Sequence, residues 1–294
     1  MREIFKKVLV SLDKSKASEK VVSYVACLAS LFEVEKIVLL HVIKLSYLAR
    51  HAEHVTAELE KVEESEAFKR IKEMYYKQNI EPLLNKAKQE IISMGVPEDR
   101  IEIKIRDGLP EEEIVEEAKL GYTALVIKRG ADLSKDIKIA EVTNSVIHNL
   151  QEIAIFVVGE EKVDGKACPM PRILVPVDGS PHSLRAVRCV ASLLQAFKNR
   201  ILKISLLYVG TTGSERILKK ARKVFAEEGI ESDIIEEKIR EGSPGEEIVK
   251  EAREGDYSTV IMGRRGLSKL QEFFVGSVTK YVLENLPEAT VVVV

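Results

Sequence analysis

The sequence predicts an α/β protein made of two tandem Rossmann-like or flavodoxin-like domains, each a five-stranded parallel sheet with helices on both faces. Short, wholly apolar runs alternate with longer segments of 3.6-residue periodicity, which is typical of buried parallel strands joined by helices. A charged segment recurs in the second half of the chain, which indicates that one unit is present twice. The length of 294 residues is sufficient for two domains with separate hydrophobic cores.

The repeat is clearest at residues 106–118 and 240–252. These segments share the pattern R-x-G-x-P-x-E-E-I-V-x-E-A at an offset of 134 residues. Between the halves, residues 159–171 are polar and bounded by Gly and Pro, which indicates a linker. We therefore predict one domain at residues 1–158 and a second at residues 172–294.

The second half follows the order β-α-β-α-β-α-β-α-β, and the first half starts in the same way, since Val8–Asp13 matches Ile173–Asp178. Pro244 suits the first turn of a helix, and Gly229 suits the end of the helix before it. This alternation predicts a parallel sheet with right-handed crossover connections. The predicted strands are residues 172–178, 201–209, 232–239, 257–262 and 290–294, and the predicted helices are residues 181–197, 214–229, 244–254 and 276–286.

The first half contains an insertion. Between Val42 and Arg106 lie 63 residues, whereas 30 residues separate the matching Val209 and Arg240. The extra residues fall at about 44–82, are rich in charge and carry spaced apolar positions, which predicts an amphipathic helix or a helical hairpin. Two interpretations are open: a helix packed on its own domain, or an arm that binds a partner or a second copy of the chain.

A glycine pattern follows the strand predicted at 257–262. It reads G-x2-G-x9-G-S and consists of Gly263, Gly266, Gly276 and Ser277. Glycines let the backbone turn sharply and approach a bulky anion, and a serine at a helix start can cap the helix beside its free N–H groups. The pattern therefore predicts a phosphate site at the carboxyl end of the sheet. The alternative is an ordinary βα loop rich in Gly and Ser, and the pattern matches neither a Walker A loop nor G-x-G-x-x-G.

Together with the turn Val175–Ser180, which reads V-P-V-D-G-S, this pattern resembles the universal stress protein family. The resemblance covers nearly the whole chain once the repeat is taken into account. It implies an adenine nucleotide alpha hydrolase-like fold, with adenine and ribose beside Val177, Asp178 and Val209. For Asp178 alone, an N-cap of the following helix is the alternative. The implied nucleotide-binding set is Pro176, Val177, Asp178, Ser180, Val209, Met262, Gly263, Arg264, Gly266, Gly276, Ser277, Val278 and Thr279, the last eight for the phosphates.

The first half has lost this loop. Asp13 matches Asp178, but Lys14 follows it where the second half has glycine. The acidic residues that replace two loop positions would repel phosphate, so the first half is predicted not to bind nucleotide. Opposite Gly263, Gly266, Gly276 and Ser277 stand Arg129, Asp132, Ala140 and Glu141, in a segment two residues shorter.

The resemblance implies a stress-response protein that binds ATP, ADP or AMP in its second half and serves as a regulatory or signalling module. Mg²⁺ is expected only as an ion bound to the nucleotide. Phosphoryl transfer needs a carboxylate that holds a metal and a group that positions the nucleophile, and the loop offers only Glu272. We therefore predict no enzyme. Two alternatives remain: a weak ATPase using the same pocket, and a nucleotide-independent interaction scaffold.

Composition narrows the class of partner. The formal net charge is −2, so neither nucleic acid nor an anionic membrane is an expected partner. No apolar run approaches the length of a membrane span, and the N-terminus has no signal-peptide core. Three cysteines without metal-type spacing argue against a disulfide framework. These features predict a cytoplasmic protein.

The last strand of each half, predicted at 154–158 and 290–294, is apolar along its whole length. An exposed apolar edge strand invites pairing with another strand. In the family that the chain resembles, last strands pair antiparallel between subunits. We therefore expect the two halves to form an intrachain pseudo-dimer. A homodimer and an unidentified protein partner are further expectations.

Overall fold

A computed structural model describes residues 4–45, 65–129, 141–159, 172–197, 203–230, 233–266 and 275–294. Ten strands lie within these ranges. They are β1 (Lys7–Ser11), β2 (Lys36–Ile43), β3 (Ile101–Asp107), β4 (Ala124–Lys128), β5 (Ala154–Val158), β6 (Arg172–Pro176), β7 (Lys203–Val209), β8 (Ile235–Arg240), β9 (Thr259–Met262) and β10 (Thr290–Val293).

The α-helices of the described ranges connect these strands. They are α1 (Lys16–Ala29), α2 (Glu66–Tyr75), α3 (Glu81–Ser93), α4 (Pro110–Ala118), α5 (Glu141–Asn149), α6 (Pro181–Phe197), α7 (Ser214–Glu227), α8 (Pro244–Glu254) and α9 (Ser277–Asn285). None of them combines the length and the apolar character needed to cross a bilayer.

The strands form one sheet in the order β3-β2-β1-β4-β5-β10-β9-β6-β7-β8. Neighbouring strands are parallel within each half, which confirms the predicted α/β class. The halves meet where β5 and β10 pair antiparallel, with Phe156 opposite Val292. The expected pairing of the two last strands is therefore confirmed, and among the described strands β3 and β8 lie at the edges of the sheet.

The sheet has a hydrophobic core on each face. Side chains of α1, α3, α6 and α7 pack on one face, and those of α4, α5, α8 and α9 pack on the other. Along β1, Val8 and Val10 belong to the first core and Leu9 to the second, because successive side chains of a strand point to opposite faces. Burial on both faces explains why the central strands are apolar without alternation, whereas the outer strands β3 and β8 are partly exposed and interleave apolar with charged residues.

The predicted element bounds hold closely in the second half. Helices α6 and α8 have the predicted ends, whereas β8 begins at Ile235 rather than at residue 232. The helix predicted to start at Gly276 starts one residue later. The order of elements was therefore predictable from periodicity, and the small differences lie at element ends.

The insertion is helical where the structure describes it. Helix α2 continues through a π-helical turn at Tyr76–Ile80 into α3. Lys72 forms an ion pair of 2.6 Å with Asp107 at the end of β3, which holds α2 on the first half. Ile71, one of the spaced apolar positions of the insertion, is exposed, so the predicted apolar face is not buried at this residue. Residues 46–64 of the predicted insertion lie outside the described residues.

The cysteines depart from the sequence prediction. Cys27 on α1 is disulfide-bonded, a single bond that the count and spacing of the cysteines did not predict. Cys189 on α6 is free, and burial raises the pKa of its thiol to about 12, which keeps the thiol protonated at neutral pH. Cys168 lies outside the described residues.

A buried glutamate fixes a helix to the sheet in each half. In the second half, Glu251 of α8 accepts contacts from Lys238 at 2.7 Å and from Arg240 at 2.6 Å, both on β8. The hydroxyl of Tyr257 also donates to its carboxylate, at 3.3 Å. Glu117 of α4 has the matching partners in the first half. The charges that the two halves share therefore stabilise the fold, since they hold the helix after the third strand of each half against that strand.

Candidate functional site

A cavity of about 270 Å³ opens at the carboxyl ends of β6, β7 and β9. This is the place where ligands bind in open parallel sheets, and the volume approaches the lower end of small-molecule sites. The lining residues come from both strand ends and helix starts. They are Pro176, Val177, Asp178, Ser183, Leu207, Val209, Pro244, Ile248, Met262, Gly263, Arg265, Gly266, Gly276, Ser277, Val278 and Thr279.

The structure brings together at the cavity every residue of the predicted nucleotide-binding set except Ser180 and Arg264. The set had left out five lining residues, which are Ser183, Leu207, Pro244, Ile248 and Arg265. Pro244 and Ile248 belong to the repeated segment 240–252, so the repeat itself was a signal that could have pointed to them. Glu272 lies outside the described residues.

The loop after β9 is tied to the start of α9. The Gly276 N–H donates to the Arg264 carbonyl at 3.0 Å, and the Thr279 hydroxyl donates to the Gly263 carbonyl, also at 3.0 Å. The Arg264 N–H donates to the Val294 carbonyl at 2.9 Å, beyond the end of β10. These bonds fix the part of the loop that forms the wall of the cavity.

Helix α9 begins without a side-chain cap. Gly276 is the N-cap residue, with extended backbone angles, and no side chain of the described residues caps the helix. The prediction that Ser277 caps this helix is therefore wrong, because Ser277 is already the first helical residue. The N–H groups of the first turn have no partner within a helix. Ser277, Val278 and Thr279 carry these groups at the cavity wall, where an anion could accept them.

Two glycines of the loop permit close approaches that a side chain would prevent. A Cβ atom on Gly263 would lie 2.5 Å from the carbonyl carbon of His182, in the first turn of α6. A Cβ atom on Gly266 would lie 2.6 Å from Oδ2 of Asp178. Glycine is therefore required for the loop to lie against α6 and against Asp178.

Ser180, not Asp178, caps α6. The Ser183 N–H donates to Oγ of Ser180 at 3.1 Å, and Ser180 is buried. Asp178 instead accepts the Ser180 N–H through Oδ1 at 2.9 Å. Its other carboxylate oxygen is the one beside Gly266, at the cavity wall. Ser180 thus has a structural role next to the cavity, whereas Asp178 presents a charged oxygen to it.

Arg264 was predicted to face the phosphates, and this is wrong for its side chain. The guanidinium is buried and donates to the carbonyls of Ile147 and Leu150 at the carboxyl end of α5, in the other half. Burial, together with the charges of Arg265 and Arg185, lowers the pKa of Arg264 to about 10, so it remains a cation at neutral pH. Arg265 is the arginine that lines the cavity.

The first half has a cavity of about 260 Å³ at the equivalent place. Lys128 lines it on the side that corresponds to the glycine loop of the second half. Strand register sets Ala124 beside Val8 and Thr259 beside the matching Ile173. Lys128 therefore stands opposite Gly263, and the sequence alignment that placed Arg129 there is wrong. The Lys128 ammonium forms an ion pair with Asp13. Asp132 and Ala140 lie outside the described residues.

The ion pair with Lys128 is expected to lower the pKa of Asp13, and this shift can be measured. Burial alone would raise the pKa of this carboxyl, but hydrogen bonds from Lys128, Ser15 and Ser18 outweigh it and lower the pKa to about 2. A carboxyl whose pKa is lowered on folding stabilises the folded state above its unfolded pKa of about 4, and this contribution is lost as the pH falls toward 2. In Lys128→Met the pKa should rise, as followed by a carbon NMR titration of the carboxyl, and an unchanged value would contradict the pairing.

Comparisons with known proteins identify related chains. The model of the universal stress protein family matches residues 170–294. A universal stress protein of Thermus aquaticus is 30% identical over 126 residues, which cover 39% of this chain and 92% of that protein. The universal stress protein YxiE of Bacillus subtilis is 29% identical over 139 residues, which cover 38% of this chain and 90% of that protein.

A solved structure matches almost the whole chain. It is a universal stress protein from Archaeoglobus fulgidus, with a TM-score of 0.71 at 22% identity, and the match covers 98% of this chain and 97% of that one. At this identity the similarity concerns the fold. It extends over both halves of the chain, including the first half, which the family model does not match.

Proposed function

Because the chain belongs to the universal stress protein family, we propose that its second half binds an adenine nucleotide, namely ATP, ADP or AMP, as a regulatory module of a stress response. One observation supports this most strongly. The glycine loop, the uncapped first turn of α9 and the Asp178 carboxylate converge on one cavity at the carboxyl edge of the sheet. Each part suits a different portion of a nucleotide.

The phosphates would bind at the start of α9. The free N–H groups of Ser277, Val278 and Thr279 would donate to phosphate oxygens, and the positive end of the helix dipole would add to the attraction. Arg265 supplies a cation at the same wall. In this proposal the Arg264 side chain makes no contact with the phosphates, since it lies in the interface between the halves.

The nucleoside would bind between the strand ends. Asp178 presents an oxygen that can accept hydrogen bonds from ribose hydroxyls, and Val177, Leu207, Val209 and Ile248 supply apolar walls for a base. Pro176, Met262, Gly263, Gly266 and Gly276 complete the proposed contacts. Among the described residues that line the cavity, Asp178 is the one carboxylate. We therefore propose that Mg²⁺ enters bound to the nucleotide and that binding, rather than turnover, is the activity.

We also propose one nucleotide site per chain. The division into domains at 1–158 and 172–294, joined by residues 159–171, gives each half its own cavity. In the first half, Lys128 fills the place of Gly263 and neutralises Asp13. Glu141 opens α5 at the position that matches Ser277 and would repel a phosphate there.

Ser277→Glu tests the proposal, because it copies Glu141 of the first half onto the second. We expect the affinity for ATP with Mg²⁺ to fall by at least about tenfold, since a carboxylate would face the phosphates at a few ångströms. Stability should not fall, because an acidic residue in the first turn of a helix contributes about 0.3–1 kcal/mol. Calorimetric titration of ATP and of AMP into the purified protein measures the affinity, and thermal unfolding measures the stability.

The matched control is Ser277→Gln, because glutamine has nearly the same shape as glutamate and carries no charge. It should bind ATP with an affinity close to that of the unaltered chain. One site per chain, weakened by Glu and not by Gln, supports the proposal. Two sites per chain would show that the first half also binds nucleotide. If the unaltered chain gives no heat of binding, the proposal that the chain binds nucleotide is wrong.

A further inference from the structure

Two arginines cross between the halves in a reciprocal manner. Arg264, next to Gly263 in the loop of the second half, donates to the carbonyls of Ile147 and Leu150 at the carboxyl end of α5. Arg129, next to Lys128 in the first half, donates to the carbonyls of Leu283 and Ala289, at and beyond the carboxyl end of α9. Each arginine thus caps the helix of the opposite half.

The two arginines occupy equivalent positions in the fold. The Arg129 N–H donates to the Val158 carbonyl at the end of β5, and the Arg264 N–H donates to the Val294 carbonyl beyond the end of β10. The strands β5 and β10 are the pair that joins the halves. The crossing therefore follows the pseudo-two-fold symmetry of the joined sheet and is built into both units.

Each capped helix has its other end in a cavity. The first turn of α5 contributes Val142 and Thr143 to the cavity of the first half, while its carboxyl end receives Arg264. The first turn of α9 lines the cavity of the second half, while its carboxyl end receives Arg129. The loop at one cavity is thus connected, through one side chain and one helix, to the wall of the other cavity.

The connection at Arg264 is stiff at both ends. Its carbonyl accepts the Gly276 N–H and, at 3.3 Å, a share of the single Thr279 hydroxyl hydrogen that also points to the Gly263 carbonyl. Both Gly276 and Thr279 line the cavity. The Arg264 guanidinium is buried, with 3% of the residue exposed, and a buried cation that lost its carbonyl partners would incur a large desolvation penalty. A shift of the loop backbone is therefore transmitted to α5 more readily than it is absorbed by breaking these bonds.

We propose that Arg264 is a positioning residue that couples occupancy of the second-half cavity to helix α5 of the first half. The coupling rests on the proposed function, because the nucleotide is the ligand that would contact Gly276 and Thr279, the residues that hold the Arg264 carbonyl. Phosphates bound at the first turn of α9 would strengthen this hold on the Arg264 backbone, and through the guanidinium α5 becomes more tightly held at its carboxyl end. By thermodynamic reciprocity, the contact between Arg264 and α5 in turn raises the affinity for nucleotide.

Amide hydrogen exchange of the full chain, with and without saturating ATP and Mg²⁺, tests this coupling. In the unaltered protein we expect ATP to slow exchange in peptides covering α5 by about fivefold, the lower end of typical coupling between sites. In Arg264→Met, which removes the guanidinium and keeps an apolar stem, the response of α5 should disappear even when ATP is saturating. The affinity for ATP should fall by a similar factor of about five.

Arg129→Met is the matched control. It removes an arginine of the same kind from the same interface, but its partners are on α9, so the response of α5 to ATP should persist. A general loosening of the interface would abolish the response in both variants, and that outcome would overturn the role assigned to Arg264. If Arg264→Met does not fold, Arg264→Lys, which can keep one carbonyl bond, should give an intermediate response of α5.

The possible failures are distinguishable. If the unaltered chain does not bind ATP in the calorimeter, the proposed function fails and the coupling falls with it. If ATP binds and exchange in α5 does not change, the coupling is overturned and the proposed function stands. A full response of α5 in Arg264→Met would likewise overturn the coupling while leaving nucleotide binding intact.

Discussion

Replacing Glu251 with alanine is expected to lower the free energy of unfolding by about 3 kcal/mol, the low end of the range for breaking a buried ion pair. The carboxylate is buried and holds Lys238 and Arg240 on β8, so its loss removes the one buried acceptor that these two partly buried cations share. They keep only the more exposed carboxylates of Glu236, Glu247 and Glu254. The low end of the range applies because both cations retain some contact with water. Urea unfolding followed by circular dichroism measures the change.

Glu254→Ala is the matched control for this prediction. Glu254 contacts the same guanidinium of Arg240, but its side chain is 53% exposed. Exposed ion pairs contribute about 0.2–1 kcal/mol, so this variant should lose much less stability than Glu251→Ala. Equal losses in the two variants would contradict the importance of burial in this network.

The same carboxylate should make stability depend on pH. Burial alone would raise the pKa of Glu251, but the hydrogen bonds and charges of Lys238 and Arg240 outweigh it and lower the pKa below its usual value of 4.5. A lowered folded-state pKa means that the stabilisation is fully present above the unfolded pKa and is lost as the pH falls through the folded pKa. The difference in stability between the unaltered chain and Glu251→Ala should therefore shrink in acid, below about pH 4.5.

The tyrosines that contact the buried glutamates show where the offset between matching residues of the two halves changes. The offset of 134 residues holds from Arg106 and Arg240 to Gly121 and Gly255. Tyr122 and Tyr257, which both donate to the buried glutamates, are offset by 135. The additional residue is Asp256, whose φ of 52° places it in the left-handed region that turns the chain into β9. One residue in a turn thus shifted the alignment and put Arg129, instead of Lys128, opposite Gly263.

Main-chain features of the site were predictable, whereas the directions of two side chains were not. The glycines of the loop mark places where backbone lies against backbone or carboxylate, and such close approaches leave a direct trace in the sequence. Arg264 lies in the same loop, but the acceptors of its guanidinium are carbonyls of α5, more than a hundred residues away. A carbonyl acceptor can belong to any residue type, so no sequence pattern predicts which carbonyls this guanidinium contacts. Ser180 and Asp178 are both residue types that cap helices, so residue type alone does not decide which of them caps α6.

Gly263→Lys should remove nucleotide binding most completely, because it copies the residue that the first half has at this position. We expect the affinity for ATP to fall by at least about 30-fold, or about 2 kcal/mol. The lysine would fill the space in front of the first turn of α9 and could pair with Asp178, as Lys128 pairs with Asp13. The cost in stability should be about 1–3 kcal/mol from overpacking, because a Cβ atom at this position meets the backbone of His182.

The first half shows how to separate the loss of binding from the loss of stability. Opposite Lys128 it has Ala17 at the position that matches His182. The double variant Gly263→Lys/His182→Ala recreates this pair of residues. Alanine keeps the backbone and the Cβ that the new side chain would meet, so the double variant should recover only the stability lost to crowding by the imidazole, and it should not recover binding. His182→Ala alone should still bind ATP. A stable double variant that binds ATP as the unaltered chain does would show that no phosphate lies beside Gly263, and the proposed orientation of the nucleotide would have to be abandoned.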